Sequence, residues 1–255
     1  MAARNILKLG ALEAQKTAFL LCDIQETFRS HVKHFGEVVK VANKMLEAAK
    51  HFKIPVYVSE QYPKGLGHTT KDIKVEDAAM VYEKTRFSMY TPELQERLKK
   101  DIPGLASVVL FGIEAHVCIE QTVIDLLNED IVVHVLADGV SSRSLMDRGL
   151  ALERMQSLGC FVTTSESVLF KLLKDKASPQ FKAISKLNKE PTVDTLGFDV
   201  RLQSAGCFVG TSENVLFKLL KDKNHPSFKQ ISKLNVEPTA DEFGQTKRMK
   251  TEELA

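Results

Sequence analysis

S-V-V-L-F-G-I-E-A-H-V-C-I-E-Q-T, Ser107 to Thr122, is the stretch that decides the fold. Four apolar residues in succession, Val108, Val109, Leu110 and Phe111, suit a strand covered on both faces of a parallel sheet. Gly112 breaks the run, and a short turn leads to Cys118. Around and beyond it, Val117, Val123, Ile124, Leu126 and Leu127 recur with helical spacing. A thiol in the first turn of a helix meets unpaired backbone N–H groups and the positive end of the helix dipole. Both favour thiolate over thiol. Such a cysteine still needs an acid–base partner and a counter-charge.

Upstream, T-A-F-L-L-C over 17–22 reads as a buried strand, and Asp23 follows it directly. Val38, Val39, Ala42, Met45, Leu46, Ala49 and Phe52 predict a helix over 35–52. The strand I-P-V-Y-V-S, 54–59, runs into a turn-rich loop, E-Q-Y-P-K-G-L-G-H-T-T. A-M-V-Y-E, 79–83, predicts a short strand that ends at Lys84, and a helix follows over 92–100 with Pro92 near its start. Downstream of the opening stretch, I-V-V-H-V-L-A-D, 131–138, is a strand and D-G-V-S-S-R-S a loop. A helix over 144–158, the strand G-C-F-V-T-T over 159–164 and helices over 166–174 and 179–187 complete the order. Strand and helix alternate through six strands. The fold class is therefore α/β, a three-layer α/β/α arrangement on a six-stranded parallel sheet with right-handed crossovers. Neither G-x-G-x-x-G nor G-x-x-x-x-G-K-[ST] occurs, so no dinucleotide or nucleoside-triphosphate site is indicated.

The chain has 255 residues, 44% of them hydrophobic and 27% charged, with a net charge of +2. That composition belongs to an ordinary globular protein and gives no strong field for nucleic acid or membrane. No apolar stretch approaches the roughly 18 residues of a membrane span. Neither a nucleic-acid nor a membrane partner is expected. The lysines of K-L-L-K-D-K lie on amphipathic helices and read as solvated faces rather than RNA contacts. Cys22 and Cys160 sit in apolar runs, where cysteine is usually a small buried hydrophobe. No C-x-x-C occurs, and four reduced thiols fit the cytoplasm, with nucleus and mitochondrion left open. The first residues make a poor secretory signal.

Residues 156–194 recur as 203–241, with 30 of 39 positions identical. Two copies make no solenoid. They read as a duplicated terminal strand–helix–helix segment, of which one copy completes the sheet. The expected organisation is a domain over 1–192 and a C-terminal extension over 193–255 that contains the second copy.

Asp23, Lys84 and Cys118 all stand at or just beyond carboxyl ends of predicted strands, so a parallel sheet brings them to one edge. Cys118 would be a nucleophile, Asp23 an acid–base group, and Lys84 the charge that steadies both. Backbone N–H groups of the turn before Cys118 could form an oxyanion hole.

Six stretches carry a resemblance to a known family: L-L-C-D-I-Q-E-T-F-R, E-Q-Y-P-K-G-L-G, E-K-T-R-F-S-M, V-L-F-G-I-E-A-H-V-C-I, V-H-V-L-A-D-G-V-S-S-R-S and P-Q-F-K-A-I-S-K-L. They run from about residue 15 to 192, and together they resemble the isochorismatase-like cysteine hydrolases, above all the isochorismatase domain-containing proteins of animals. The resemblance implies an Asp–Lys–Cys triad at Asp23, Lys84 and Cys118. It implies a cis peptide joining Ile113 and Glu114, with the N–H groups of Glu114 and Cys118 aimed at the substrate oxygen. Gln25 would sit near the substrate pocket and Phe28 would help line it. It also implies a small-molecule substrate, no cofactor and a homo-oligomer. Metal-dependent relatives carry D-x-H and a further histidine where this chain has Glu60 and His68, so no metal is expected. The bacterial enzymes that cleave isochorismate lack the cysteine, so Cys118 points away from that substrate and toward a small amide or related C–N bond. The alternative is a relic pocket on an interaction or scaffold protein, with the duplicated segment as its binding surface.

Overall fold

The computed structural model describes residues 9–189. The second copy, 203–241, and the expected extension from residue 193 onward lie outside the described residues. Among the described residues the six segments predicted as strands become strands: β1 Thr17–Cys22, β2 Val56–Gln61, β3 Met80–Lys84, β4 Ser107–Ile113, β5 Val132–Ser141 and β6 Phe161–Thr163. All pairings are parallel, in the order β3-β2-β1-β4-β5-β6. The helices are α1 Phe35–Phe52, α2 Pro63–Leu66, α3 Pro92–Asp101, α4 Glu120–Asn128, α5 Leu145–Ser157, α6 Ser165–Leu173 and α7 Phe181–Leu187.

Burial explains the run-like strands. Every residue of β1 and of β4 is buried, as the centre of a sheet covered on both faces requires. The apolar stripe of α1, from Val38 and Val39 through Met45 to Ala49, packs on one face with Phe19, Leu21, Val109 and Phe111. Leu169, Leu172 and Ile184 of α6 and α7 join the same cluster. α3, α4 and α5 carry the connections that step the other way across the sheet, and right-handed crossovers place them on the opposite face. Local chemistry ends the helices: Thr91 Oγ1 accepts from Leu94 N ahead of Pro92, and Lys53, at φ 56°, closes α1. Among the described residues no helix is long and apolar enough to cross a membrane.

Two segments differ from the sequence reading, and both adjoin the crevice. Gly112 does not end β4; the strand passes through it to Ile113. At φ 127° it lies against Cys22, where a Cβ would sit 2.1 Å from the Cys22 carbonyl oxygen. Glycine lets β1 and β4 stay paired at that point. The expected loop after residue 137 is instead a continuation of β5 to Ser141, with a register shift opposite Leu110–Gly112. The shift frees carbonyls, and the buried Arg148 of α5 takes them: its Nε donates to Val140 O at 2.9 Å and its Nη2 to Ala137 O. A sequence pattern of turn residues concealed that buried arginine.

β6, α6 and α7 come from the first copy of the repeat. Its buried positions in this region are Cys160, Ser165, Val168, Leu169, Leu172, Leu173 and Ile184. The same residue types recur 47 positions later at every one of them.

Strand order reverses between β1 and β4: the chain steps from β1 out to β3, then returns to β4 beside β1. The carboxyl ends of β1 and β4 therefore flank the crevice where open α/β sheets hold ligands.

Candidate active site

Asp23 follows β1 with φ 49°, a left-handed conformation that turns the chain sharply out of the strand. Its N–H donates to Ser59 O at 3.2 Å. Its Oδ1 accepts from Ser59 Oγ at 2.7 Å, and its Oδ2 from Lys84 Nζ at 2.7 Å. Parallel register produces this meeting, because Cys22 lies opposite Ser59 and Gln61 opposite Lys84. Lys84 Nζ also donates to Gln61 Oε1 at 2.7 Å and to the carbonyls of Arg86 and Phe87 at 3.1 and 2.9 Å. The Lys84 side chain has 0% exposure and that of Asp23 1%.

A buried ion pair is sustained only when its remaining donors and acceptors are met. Here they are. Burial alone pulls the Lys84 pKa down, but the surrounding Cys22, Asp23 and Cys118 and the Asp23 hydrogen bond outweigh it and raise it.

Cys118 occupies a π-helical turn, Ala115–Ile119, immediately before α4. The sequence reading expected it in the first turn of a regular helix; the extra residue per turn lets Glu114 O accept from both Val117 N and Ile119 N at 3.2 Å. The Ile113–Glu114 peptide is cis. Thr122 Oγ1 donates to Cys118 O at 2.6 Å and accepts from Met89 N at 2.8 Å. That link ties the turn bearing Cys118 to the loop whose carbonyls hold Lys84. Cys118 is 6% exposed.

The Sγ atoms of Cys22 and Cys118 and a carboxylate oxygen of Asp23 all lie within 4.8 Å of one another. Cys22 Sγ is 3.4 Å from Asp23 Oδ2. The Cys22 thiol pKa is pushed up by burial first, then by its hydrogen bond with Cys118 and the Asp23 charge. As a donor set the three could in principle hold a cation. Both Asp23 oxygens are already engaged, one by an ammonium, which opposes a second positive charge there.

Gln25 is fully buried, and its amide clamps the backbone: Nε2 donates to Gln61 O and Gly67 O, while Oε1 accepts from Gln61 N. Phe28, half-buried in the 3-10 turn Glu26–Ser30, packs on the α1 core cluster. Glu60 and His68 also meet, with Nδ1 2.7 Å from Oε2, and Glu60 Oε1 accepts from Thr69 N and Oγ1. That carboxylate fastens the loop after β2.

Cys22, Ser59 and Gln61 were not singled out by sequence reasoning. A usable signal existed for Ser59 and Gln61: polar residues closing an otherwise apolar strand, at the same edge as Asp23. Cys22 gave none, since its position in T-A-F-L-L-C is apolar in character.

A family model described as the isochorismatase domain matches residues 17–167. The isochorismatase domain-containing protein 1 of Danio rerio is 49% identical over 185 residues, 72% of this chain and 65% of that protein. The match thus spans just under two thirds of that relative's length. The isochorismatase domain-containing protein 2 of Xenopus laevis is 47% identical over 191 residues, 75% of this chain and 92% of that protein. Among solved structures, one described as the MAR1 ribonuclease of Caenorhabditis elegans has 41% identity and a TM-score of 0.69, covering 72% of this chain and 95% of that one.

Proposed function

The chain belongs to the isochorismatase family, and from that premise we propose that it is a metal-independent cysteine hydrolase of a small amide or related C–N substrate. One observation carries the reading: the Cys118 sulfur lies within 4.8 Å of a carboxylate that a fully buried ammonium holds in place.

In this mechanism Asp23 takes the thiol proton of Cys118, and Sγ bonds to the substrate carbonyl carbon. The oxyanion faces the N–H groups of Glu114 and Cys118. Asp23 returns the proton to the leaving nitrogen, the C–N bond breaks, and an amine or ammonia departs. A water then gives a proton to Asp23 as its oxygen attacks the thioester. The C–S bond breaks, the acid leaves, and Asp23 reprotonates Cys118. Lys84 keeps the Asp23 carboxylate oriented throughout, and Ser59 fixes the other oxygen. Gln25 shapes the pocket indirectly by fixing the loop after β2, and Phe28 contributes an apolar wall. The protein works as a homo-oligomer.

A second reading is ribonuclease activity, favoured by the likeness to the Caenorhabditis elegans structure. Against it stands the depth of Cys118, only 6% exposed, which suits a small substrate better than a polynucleotide strand. Wild type and Cys118→Ala are assayed in parallel on a panel of small amides and on RNA oligonucleotides. Amide turnover lost in the variant supports the hydrolase. RNA cleavage by wild type without amide turnover supports the nuclease. Equal amide rates in both proteins remove the basis of the cysteine-hydrolase reading.

A further inference from the structure

We propose that Cys22 and Cys118 form a reversible disulfide when a peroxide reaches the site, so that Cys22 guards the sulfur placed at its centre. This rests on the reading of Cys118 as a reactive sulfur, but its test does not require turnover. Two thiols within 4.8 Å of one another, both buried and with Asp23 against each, are more than the hydrolysis needs. The hydrolytic steps use one sulfur, and the β1 position of Cys22 would be filled equally well by another small apolar side chain. Cys22 ends β1 and Cys118 sits in the turn just beyond the neighbouring β4, and Cys22 pairs with Gly112, where a Cβ would meet the Cys22 backbone.

The chemistry balances with a hydroperoxide as oxidant. The Cys118 thiolate attacks the peroxide oxygen, the O–O bond breaks, and Cys118 becomes a sulfenic acid as hydroxide or alkoxide leaves. Cys22 gives its proton to Asp23, 3.4 Å away, as its sulfur displaces hydroxide from the sulfenic sulfur. Asp23 passes that proton to the displaced hydroxide, and the hydroxide or alkoxide of the first step takes up the proton that Cys118 gave up, so one disulfide, one water and one further water or alcohol result; a thiol reductant restores both cysteines. Closing the sulfurs to a bonding distance of about 2.05 Å needs local movement of the π-helical turn, since both thiols start from non-bonded separation.

The full-length protein is treated with hydrogen peroxide and followed by intact mass and peptide mapping. The expected result is a loss of two hydrogens, a Cys22–Cys118 linked peptide, and full reversal by dithiothreitol. Cys22→Ala should instead accumulate sulfinic and sulfonic acid on Cys118 that dithiothreitol does not reverse. Irreversible oxygen addition to Cys118 in wild type, at the rate seen in Cys22→Ala, overturns the proposal. So does a disulfide that joins any other pair. None of these readouts depends on amide cleavage, so the disulfide and the hydrolase can fail separately.

Discussion

Lys84 and His134 are both buried basic side chains on strands of one sheet, and they resolve the cost of burial in opposite ways. Lys84 stays charged because Asp23, Gln61 and two carbonyls surround its ammonium. His134, on β5, has no hydrogen-bond partner at either ring nitrogen and stacks on Phe161 with centroids 5.0 Å apart. Burial, with a smaller push from Lys171, lowers its pKa to about 3, so it is neutral near pH 7. A buried side chain keeps its charge only where partners have been assembled, and here that happens at the strand ends beside Cys118. The histidine is core; the lysine belongs to a site.

The largest test of that contrast removes one partner of the pair. Lys84→Met leaves the Asp23 carboxylate buried without its counter-charge and should cost about 3–5 kcal/mol in denaturant unfolding, with hydrolysis abolished. A variant as stable as wild type would mean that the pair is not held as described. The ammonium's pKa is raised in the folded state, so its stabilisation is complete below the unfolded value near 10.5 and is lost as pH rises through the folded value. Wild type should therefore lose stability in strong base by a term that Lys84→Met lacks.

A smaller effect is expected where the backbone is pried apart without touching a charge. In Gly112→Ala the new methyl meets the Cys22 carbonyl at 2.1 Å, and the required shift should cost about 1–3 kcal/mol. Hydrolysis should fall further than stability, because Cys22 and Asp23 move with β1. Equal losses in both would separate the strand contact from the site.

His134→Phe acts on the other side of the contrast. At pH 7 it replaces an unpaired neutral ring by an apolar one and should change stability by less than about 1 kcal/mol. The folded pKa of His134 is depressed to about 3 from 6.5, so the wild type loses stability as pH falls through that window, where the unfolded chain takes up the proton first. His134→Phe should thus unfold at lower pH. An unchanged acid midpoint would show that His134 is protonated in the folded protein.

The smallest change is expected at the surface. Arg29 Nη2 lies 2.6 Å from Asp72, and Arg29 holds the Glu26 carboxyl at about 2, yet both partners are exposed. Solvent and salt screen such pairs, and Arg29→Ala should leave the unfolding midpoint within error of wild type.

The element order was legible because buried parallel strands are written as unbroken apolar runs, as in T-A-F-L-L-C and S-V-V-L-F. Asp23 and Cys118 could be placed at one edge for the same reason, since each comes after such a run, and Lys84 because it ends the short edge strand M-V-Y-E-K. What escaped depends on pairing between strands. Ser59 matters because it lies opposite Cys22, and Gln61 because it lies opposite Lys84, and no single segment contains that register. The extension of β5 through D-G-V-S depends on Arg148, which reaches back from α5 to carbonyls that a loop would have exposed to water. Gly112 looked like a stop because glycine often is one; its actual role, a close approach to Cys22, exists only in the folded sheet.

The central claim, that Cys118 is the nucleophile served by the buried pair, is tested most directly by rapid-quench mass spectrometry during turnover of a cleaved amide. The expected result is an acyl group mapped to Cys118 in wild type that accumulates and decays with product. Turnover by wild type with no acyl group on Cys118, or undiminished turnover by Cys118→Ala, would contradict it.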